Sequence, residues 1–153
     1  PVVEEHLVAK TVDGGYSFTR ENLVTEEGNM TAVGTAKRGT IPPHILVDGT
    51  YKAQWKVYVE APMSLNLEAS YSFQGKAAAG TITVVAAEQS VTHKVAPTGL
   101  TVGEPISDWQ IDDFKANSLG TINFPSAGTY DISLTIKSGK KDPVKFQWLW
   151  MDK

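Results

Sequence analysis

The stretch "LGTINFPSAGTYDISLTI", residues 119–136, decides the fold class. Tyr130, Ile132, Leu134 and Ile136 fall on one side of its second half, and Asp131, Ser133, Thr135 and Lys137 fall on the other. A period of two with a single apolar set marks a strand that buries one face and wets the other. Ahead of it Leu119 and Ile122 lead into Phe124, and Pro125-Ser126-Ala127-Gly128 supplies a corner. Proline presets φ there, and glycine accepts positive φ. The segment reads as a scaffold hairpin of antiparallel sheet.

The same signal recurs outward from this hairpin. Tyr51, Ala53, Trp55, Val57 and Val59 alternate with Lys52, Gln54, Lys56, Tyr58 and Glu60, and after the corner "APM" Leu65, Leu67, Ala69, Tyr71 and Phe73 alternate with polar residues. "TITVV" at 81–85 and "SVTHKV" at 90–95 flank a short turn at "AAEQ", and "SGKKDP" precedes a last strand, "VKFQWLWM". In that strand Phe146, Trp148 and Trp150 are expected on one face and Leu149 and Met151 on the other, so both faces read as buried. Toward the N-terminus the expected strands are weaker: residues 15–23 after the Asp13-Gly14 corner, and Met30 to Val33 after a turn at "EEGN". Asp48-Gly49 predicts a tight hairpin after His44–Val47, because both residues tolerate positive φ. Residues 96–117 form the one long irregular stretch, of a length that is uncommon in compact domains and is often functional. Eight to ten short strands without a convincing helix predict an all-β, two-sheet antiparallel sandwich, as a single domain over 1–153.

Composition narrows the function. With 14 Lys and Arg against 17 Asp and Glu the net charge is -3, which leaves no basic excess for nucleic acid. No apolar run approaches the ~20 residues of a membrane helix, and no secretory leader is visible. Cysteine is absent, which removes thiolate chemistry and disulfides without fixing a compartment. The opening "PVVEEHL", without Met, leads us to expect a piece cut from a longer protein.

Chemistry-bearing patterns are sparse. There is no Gly-x-Ser-x-Gly elbow or Ser-x-x-Lys, and His6, His44 and His93 stand apart. His93 reads as an exposed sheet residue, His44 as the first residue of a strand, and His6 as part of a frayed terminus. The pairs Glu4-Glu5, Glu26-Glu27 and Asp112-Asp113 do not by themselves form a glycosidase dyad, because neighbours on a strand point to opposite faces. No cofactor is expected; a structural calcium held by scattered oxygens would leave no sequence signature. Asn29-Met30-Thr31 matches the glycosylation acceptor pattern.

Aromatic residues are the remaining resource, since sugar rings stack their C–H faces on indoles and phenols. Trp55, Trp148 and Trp150 are assigned to the core by position. Trp109 differs: it lies in the long stretch beside Asp108, Gln110, Asp112 and Asp113, groups able to bond hydroxyls. Either it folds back to cap the sandwich, or it forms a sugar site with Asp108, Gln110 and Tyr51.

Three stretches taken in order, "VDGGYSFTRENLV", "AQWKVYVEAPMSLNLEASYSF" and "SLGTINFPSAGTYDISLTIKSGKKDPVKFQWLWM", carry a family likeness. They resemble the C-terminal β-sandwich of bacterial α-L-fucosidases of glycoside hydrolase family 29, and more loosely the galactose-binding-like carbohydrate modules. The carriers are Trp55-x-Val57-x-Val59, Thr98-Gly99, Leu119-Gly120 and Ala127-Gly128-x-Tyr130; Ala61-Pro62-Met63-Ser64 departs from the sugar modules' Pro-Gly-x-Tyr. The resemblance implies a non-catalytic accessory domain, exported to the periplasm or secreted, packed on a preceding catalytic barrel and in contact with carbohydrate. The family's catalytic acids belong to that barrel, so none is carried over. An autonomous carbohydrate-binding module and a purely structural or adhesive sandwich are the alternatives.

Overall fold

A computed structural model describes residues 7–8, 10–33, 44–98 and 114–153. Among these, ten strands occur: β1 (Leu7–Val8), β2 (Tyr16–Phe18), β3 (Thr25–Val33), β4 (His44–Val59), β5 (Met63–Phe73), β6 (Thr81–Ala86), β7 (Gln89–Lys94), β8 (Lys115–Phe124), β9 (Gly128–Lys137) and β10 (Val144–Asp152). Their order is β7-β6-β9-β4-β10-β5-β8, with β1 and β3 on β4 and β2 on β10. All pairings are antiparallel except β1 with β4. The chain is all-β, a sheet wrapped into a sandwich around one core. The alternations read from the sequence hold in β4, β5 and β9, where Trp55, Val57, Leu65, Leu67, Ile132 and Leu134 are all buried. Residues 119–136, however, are no hairpin: β8 pairs with β5, and β9 with β4 and β6, so the corner at Pro125–Ala127 joins strands that are not neighbours.

The long strand β4 makes the wrap. Its first part pairs with β10, Val47 facing Val144, while Thr50–Val59 pairs with β9. Asp48-Gly49 is therefore no hairpin but the corner at which one strand passes from one layer to the other, a device that sandwiches build from bends and bulges. Gly49 is needed there for space rather than for φ: a Cβ on it would lie 2.7 Å from Asn29 Oδ1. "EEGN" is likewise no turn. It lies inside β3, where the register against β4 shifts between Gly28 and Met30 and Gly28 takes φ 121°.

The two ends of the sheet path, β7 and β8, approach each other. Gly120 of β8 lacks the Cβ that would press on Val91 of β7 at 3.0 Å. Gln89 spans the gap: its Nε2 donates to the Asn123 carbonyl, and its Oε1 accepts from Asn123 N at 3.0 Å. A side-chain amide thus imitates one rung of a ladder and covers an edge that would otherwise invite pairing with another chain.

Candidate functional site

The site arises from one extra residue in β10. Phe146 faces Tyr71 of β5, but Trp148 already faces Ser70, so Gln147 is a bulge. A bulge re-aims every side chain after it. Leu149 and Met151 consequently join Phe146 in the core, while Trp148 and Trp150 turn to the outer face, half-buried. The expectation that both indoles lie in the core is corrected by this shift. Gln147 is held in place by Ser70, whose hydroxyl donates to Oε1 at 2.7 Å.

The bulge coincides with a change of neighbour. Along one edge β10 pairs with β4 at Val144–Phe146 and with β2 at Leu149–Met151. Between these pairings a cleft of about 450 Å³ opens, with Phe146, Gln147 and Trp148 as its floor. His44 and Ile45 of β4 and Ala32 and Val33 of β3 form one wall; Thr19, Arg20 and Glu21, after β2, form the other. His44 is buried, its ring tilted against Phe114 at 5.1 Å between centroids.

The wall after β2 is fixed from below. Trp55 donates its indole N–H to the Thr19 carbonyl at 2.8 Å, Asn22 Nδ2 donates to the Ser17 carbonyl at 2.9 Å, and Thr19 N donates to Asn22 Oδ1 at 2.9 Å. Arg20 is gripped by Glu26, with Nε at 3.0 Å from Oε2 and Nη2 against Oε1. Tyr51 O–H donates to the same Glu26 Oε2 at 2.8 Å. The hydrogen bonds from Arg20, and secondarily from Tyr51, hold the Glu26 carboxyl below its usual range against partial burial. Burial first, and Glu26 second, push the Tyr51 phenol well up, so it stays protonated and keeps donating.

Of the residues named from sequence as a sugar site, Trp109, Asp108 and Gln110 lie outside the described residues. Tyr51 is placed in the core at 1% exposure, so its ring offers no stacking surface. It touches the cleft indirectly, by steadying the carboxylate that steadies Arg20. His93 also departs from expectation. It points inward, with Nε2 at 2.8 Å from Tyr71 O–H, and burial lowers its pKa. Among the described residues no group of three or more His, Asp or Glu side chains is arranged to hold a metal ion. Arg20, Glu21 and Trp148 were not named as site residues from the sequence. The one signal that could have exposed Trp148 is the polar Gln147 between Phe146 and two indoles, where unbroken alternation leaves Leu149 and Met151 facing out.

No family model matches the chain, and no curated protein matches it. Solved structures do. A carbohydrate-binding module of lichenase 5A from Cellvibrio mixtus, determined with cellotriose, is 16% identical with TM-score 0.63, covering 90% of this chain and 95% of that one. A family 35 carbohydrate-binding module from Clostridium thermocellum is 14% identical with TM-score 0.61, over 90% and 96% of the two chains. The mosquito-larvicidal Cry4Aa toxin of Bacillus thuringiensis shares the fold over 90% of this chain but 23% of its own, at 12% identity and TM-score 0.66. The class is thereby set: a galactose-binding-like β-sandwich of the architecture used by carbohydrate-binding modules of families 6 and 35. At these identities the likeness establishes the fold and leaves function to the residues. The fucosidase part of the sequence resemblance gains no specific support from these neighbours.

Proposed function

We propose that this chain is a glycan-binding module whose ligand occupies the Trp148 cleft. One observation carries the reading: the bulge at Gln147 moves an indole out of the core and into a cleft that also presents Arg20, Glu21 and Gln147. Such a cleft suits a pyranose. The C–H face of the ring packs on the indole and on Val33, while hydroxyls exchange hydrogen bonds with the guanidinium, the carboxylate and the amide. Its volume lies within the few hundred cubic ångströms, about 300–1,000, of ordinary ligand pockets. The walls are pre-formed by the Trp55–Thr19 and Arg20–Glu26–Tyr51 bonds, which reduces the ordering cost of binding.

The resemblance adds finer content to this proposal: the module accompanies a catalytic domain of an exported glycoside hydrolase, an α-L-fucosidase in its most specific form. The lichenase named above, whose module carries this fold, is in keeping with an enzyme-linked role. A glycan array probed with the wild type and with Trp148→Ala tests the primary reading. Reproducible retention of at least one glycan, lost in the variant while its thermal melt is unchanged, is expected. Retention that survives the substitution, or a blank array from folded protein, overturns it.

A further inference from the structure

The acceptor pattern Asn29-Met30-Thr31 contributes no residue to the Trp148 cleft. It lies in β3, which pairs with β4 along one side and, among the described residues, with no strand along the other. Met30 is half-buried and packed against the core, whereas Glu27, Asn29 and Thr31 are exposed. The amide and the hydroxyl of the pattern therefore both reach solvent, while the residue between them holds the strand to the sheet.

Asn29 is also where the ladder opens. Gly28 faces Tyr51 and Met30 faces Val47, so Asn29 stands opposite the corner of β4 at 48–50, outside the regular register. Its side chain lies over Gly49, where an added Cβ would come within 2.7 Å of Asn29 Oδ1 and 2.9 Å of Asn29 Cβ. The glycine leaves that surface without a side chain of its own, so a substituent on the amide meets backbone there rather than a packed neighbour. An acceptor segment must peel away from its protein to enter a transferase. An edge strand at a bulge gives up few ladder bonds in doing so.

We infer that Asn29 is a covalent modification site, an acceptor that takes an oligosaccharide from a polyprenyl diphosphate donor through a bacterial-type oligosaccharyltransferase. Asn-x-Thr with x other than Pro is the general requirement. Glu27, two residues ahead, supplies the carboxylate that bacterial-type transferases add to that pattern. In the transfer, Asn29 Nδ2 bonds to C1 of the first sugar and the C1–O bond to the diphosphate breaks. The lipid diphosphate leaves with the electron pair, and the amide proton passes to a base of the transferase. The product places a bulky, solubilising group on the open side of β3. An open edge recruits strands of other chains, and a glycan there blocks such pairing. The modification is independent of whether the Trp148 cleft binds sugar.

The folded full chain is incubated with a purified bacterial oligosaccharyltransferase and its lipid-linked oligosaccharide, after the enzyme has been shown active on a standard acceptor peptide. Intact mass and peptide mapping follow the product. Wild type is expected to gain the mass of the oligosaccharide less a water, at Asn29. Asn29→Gln and Thr31→Val should lose the product altogether, and Glu27→Gln should lose most of it. Thr31→Val keeps the branched shape that suits a strand, so loss of product with an unchanged thermal melt isolates the hydroxyl. Folded wild type left unmodified by the active enzyme overturns the site. Product that persists in Thr31→Val, or that maps to another asparagine alone, overturns it equally. Shielding of the edge is read separately by light scattering on heating: the glycosylated chain should aggregate more slowly, and equal rates would remove that role while leaving the site.

Discussion

Replacing Gly15 by Ala probes the bulge in β10 through a residue that does not belong to β10. An ideal Cβ on Gly15 lies 2.1 Å from Trp150 Cζ2, 2.4 Å from Cη2 and 2.8 Å from Cε2, where a relaxed carbon contact is about 3.5–4.0 Å. Three ring atoms are involved, so the indole must move as a body. Overpacking of this kind costs about 1–3 kcal/mol. Gly15 is not in the left-handed region, so Ala is otherwise tolerated and regains about 0.4–1 kcal/mol from the less free unfolded chain. The expected net loss is about 1–2 kcal/mol, or roughly 2–8 °C in Tm for a domain of this size. In a Trp150→Ala background the clash disappears and Gly15→Ala becomes neutral or slightly stabilising. A double-mutant cycle by urea unfolding should return a coupling of about 1–3 kcal/mol. An equal cost in both backgrounds would show that Trp150 does not lie over Gly15, and the outward turn of the indoles would fall with it.

Three other perturbations test separate parts of the fold. Burial lowers the His93 pKa in the native state, so on acidification the unfolded chain takes up its proton first; stability should fall as pH drops through about 6.5 toward the depressed native value and level off below it. Unfolding midpoints measured from pH 8 to 5 should lose that component in His93→Gln, and an unchanged profile would count against it. Gln89→Ala removes both bonds to the Asn123 backbone; a loss of about 1–2 kcal/mol and faster amide exchange at Asn123 are expected, whereas unchanged exchange would mean that the β7–β8 seam closes without it. Gly28→Ala puts a Cβ 2.1 Å from the Thr50 carbonyl oxygen at φ +121° and should destabilise by about 3 kcal/mol; a neutral calorimetric result would contradict the bulged register of β3.

Much of the scaffold was legible because period two is a direct consequence of pleating. The inward apolar rows of β4 from Tyr51 to Val59, of β5 from Leu65 to Phe73 and of β9 from Ile132 to Ile136 were readable, and Tyr51 stood in the same row as Trp55, so its burial was readable too. Other features were not local. Asp48-Gly49 permits a hairpin, but whether the chain reverses or merely bends depends on β10 and β9 waiting on either side of the corner. Trp148 and Trp150 looked buried because two indoles beside Leu149 and Met151 give no unique phase; only the pairing with β5 reveals that Gln147 is supernumerary. The cleft wall was invisible for a similar reason. Nothing in "TRE" at 19–21 announces that Glu26 and the distant Tyr51 clamp Arg20. The sugar site read from the long stretch, Trp109 with Asp108 and Gln110, lies outside the described residues.

The most direct measurement follows the indole N–H resonances of the four tryptophans, each assigned by a Trp→Phe variant, while a glycan retained on the array is titrated. The Trp148 resonance should move with saturation, and Trp55, locked to the Thr19 carbonyl, should stay nearly still. Movement of Trp109 alone, with Trp148 unmoved at saturation, would contradict the cleft and return the site to the long stretch.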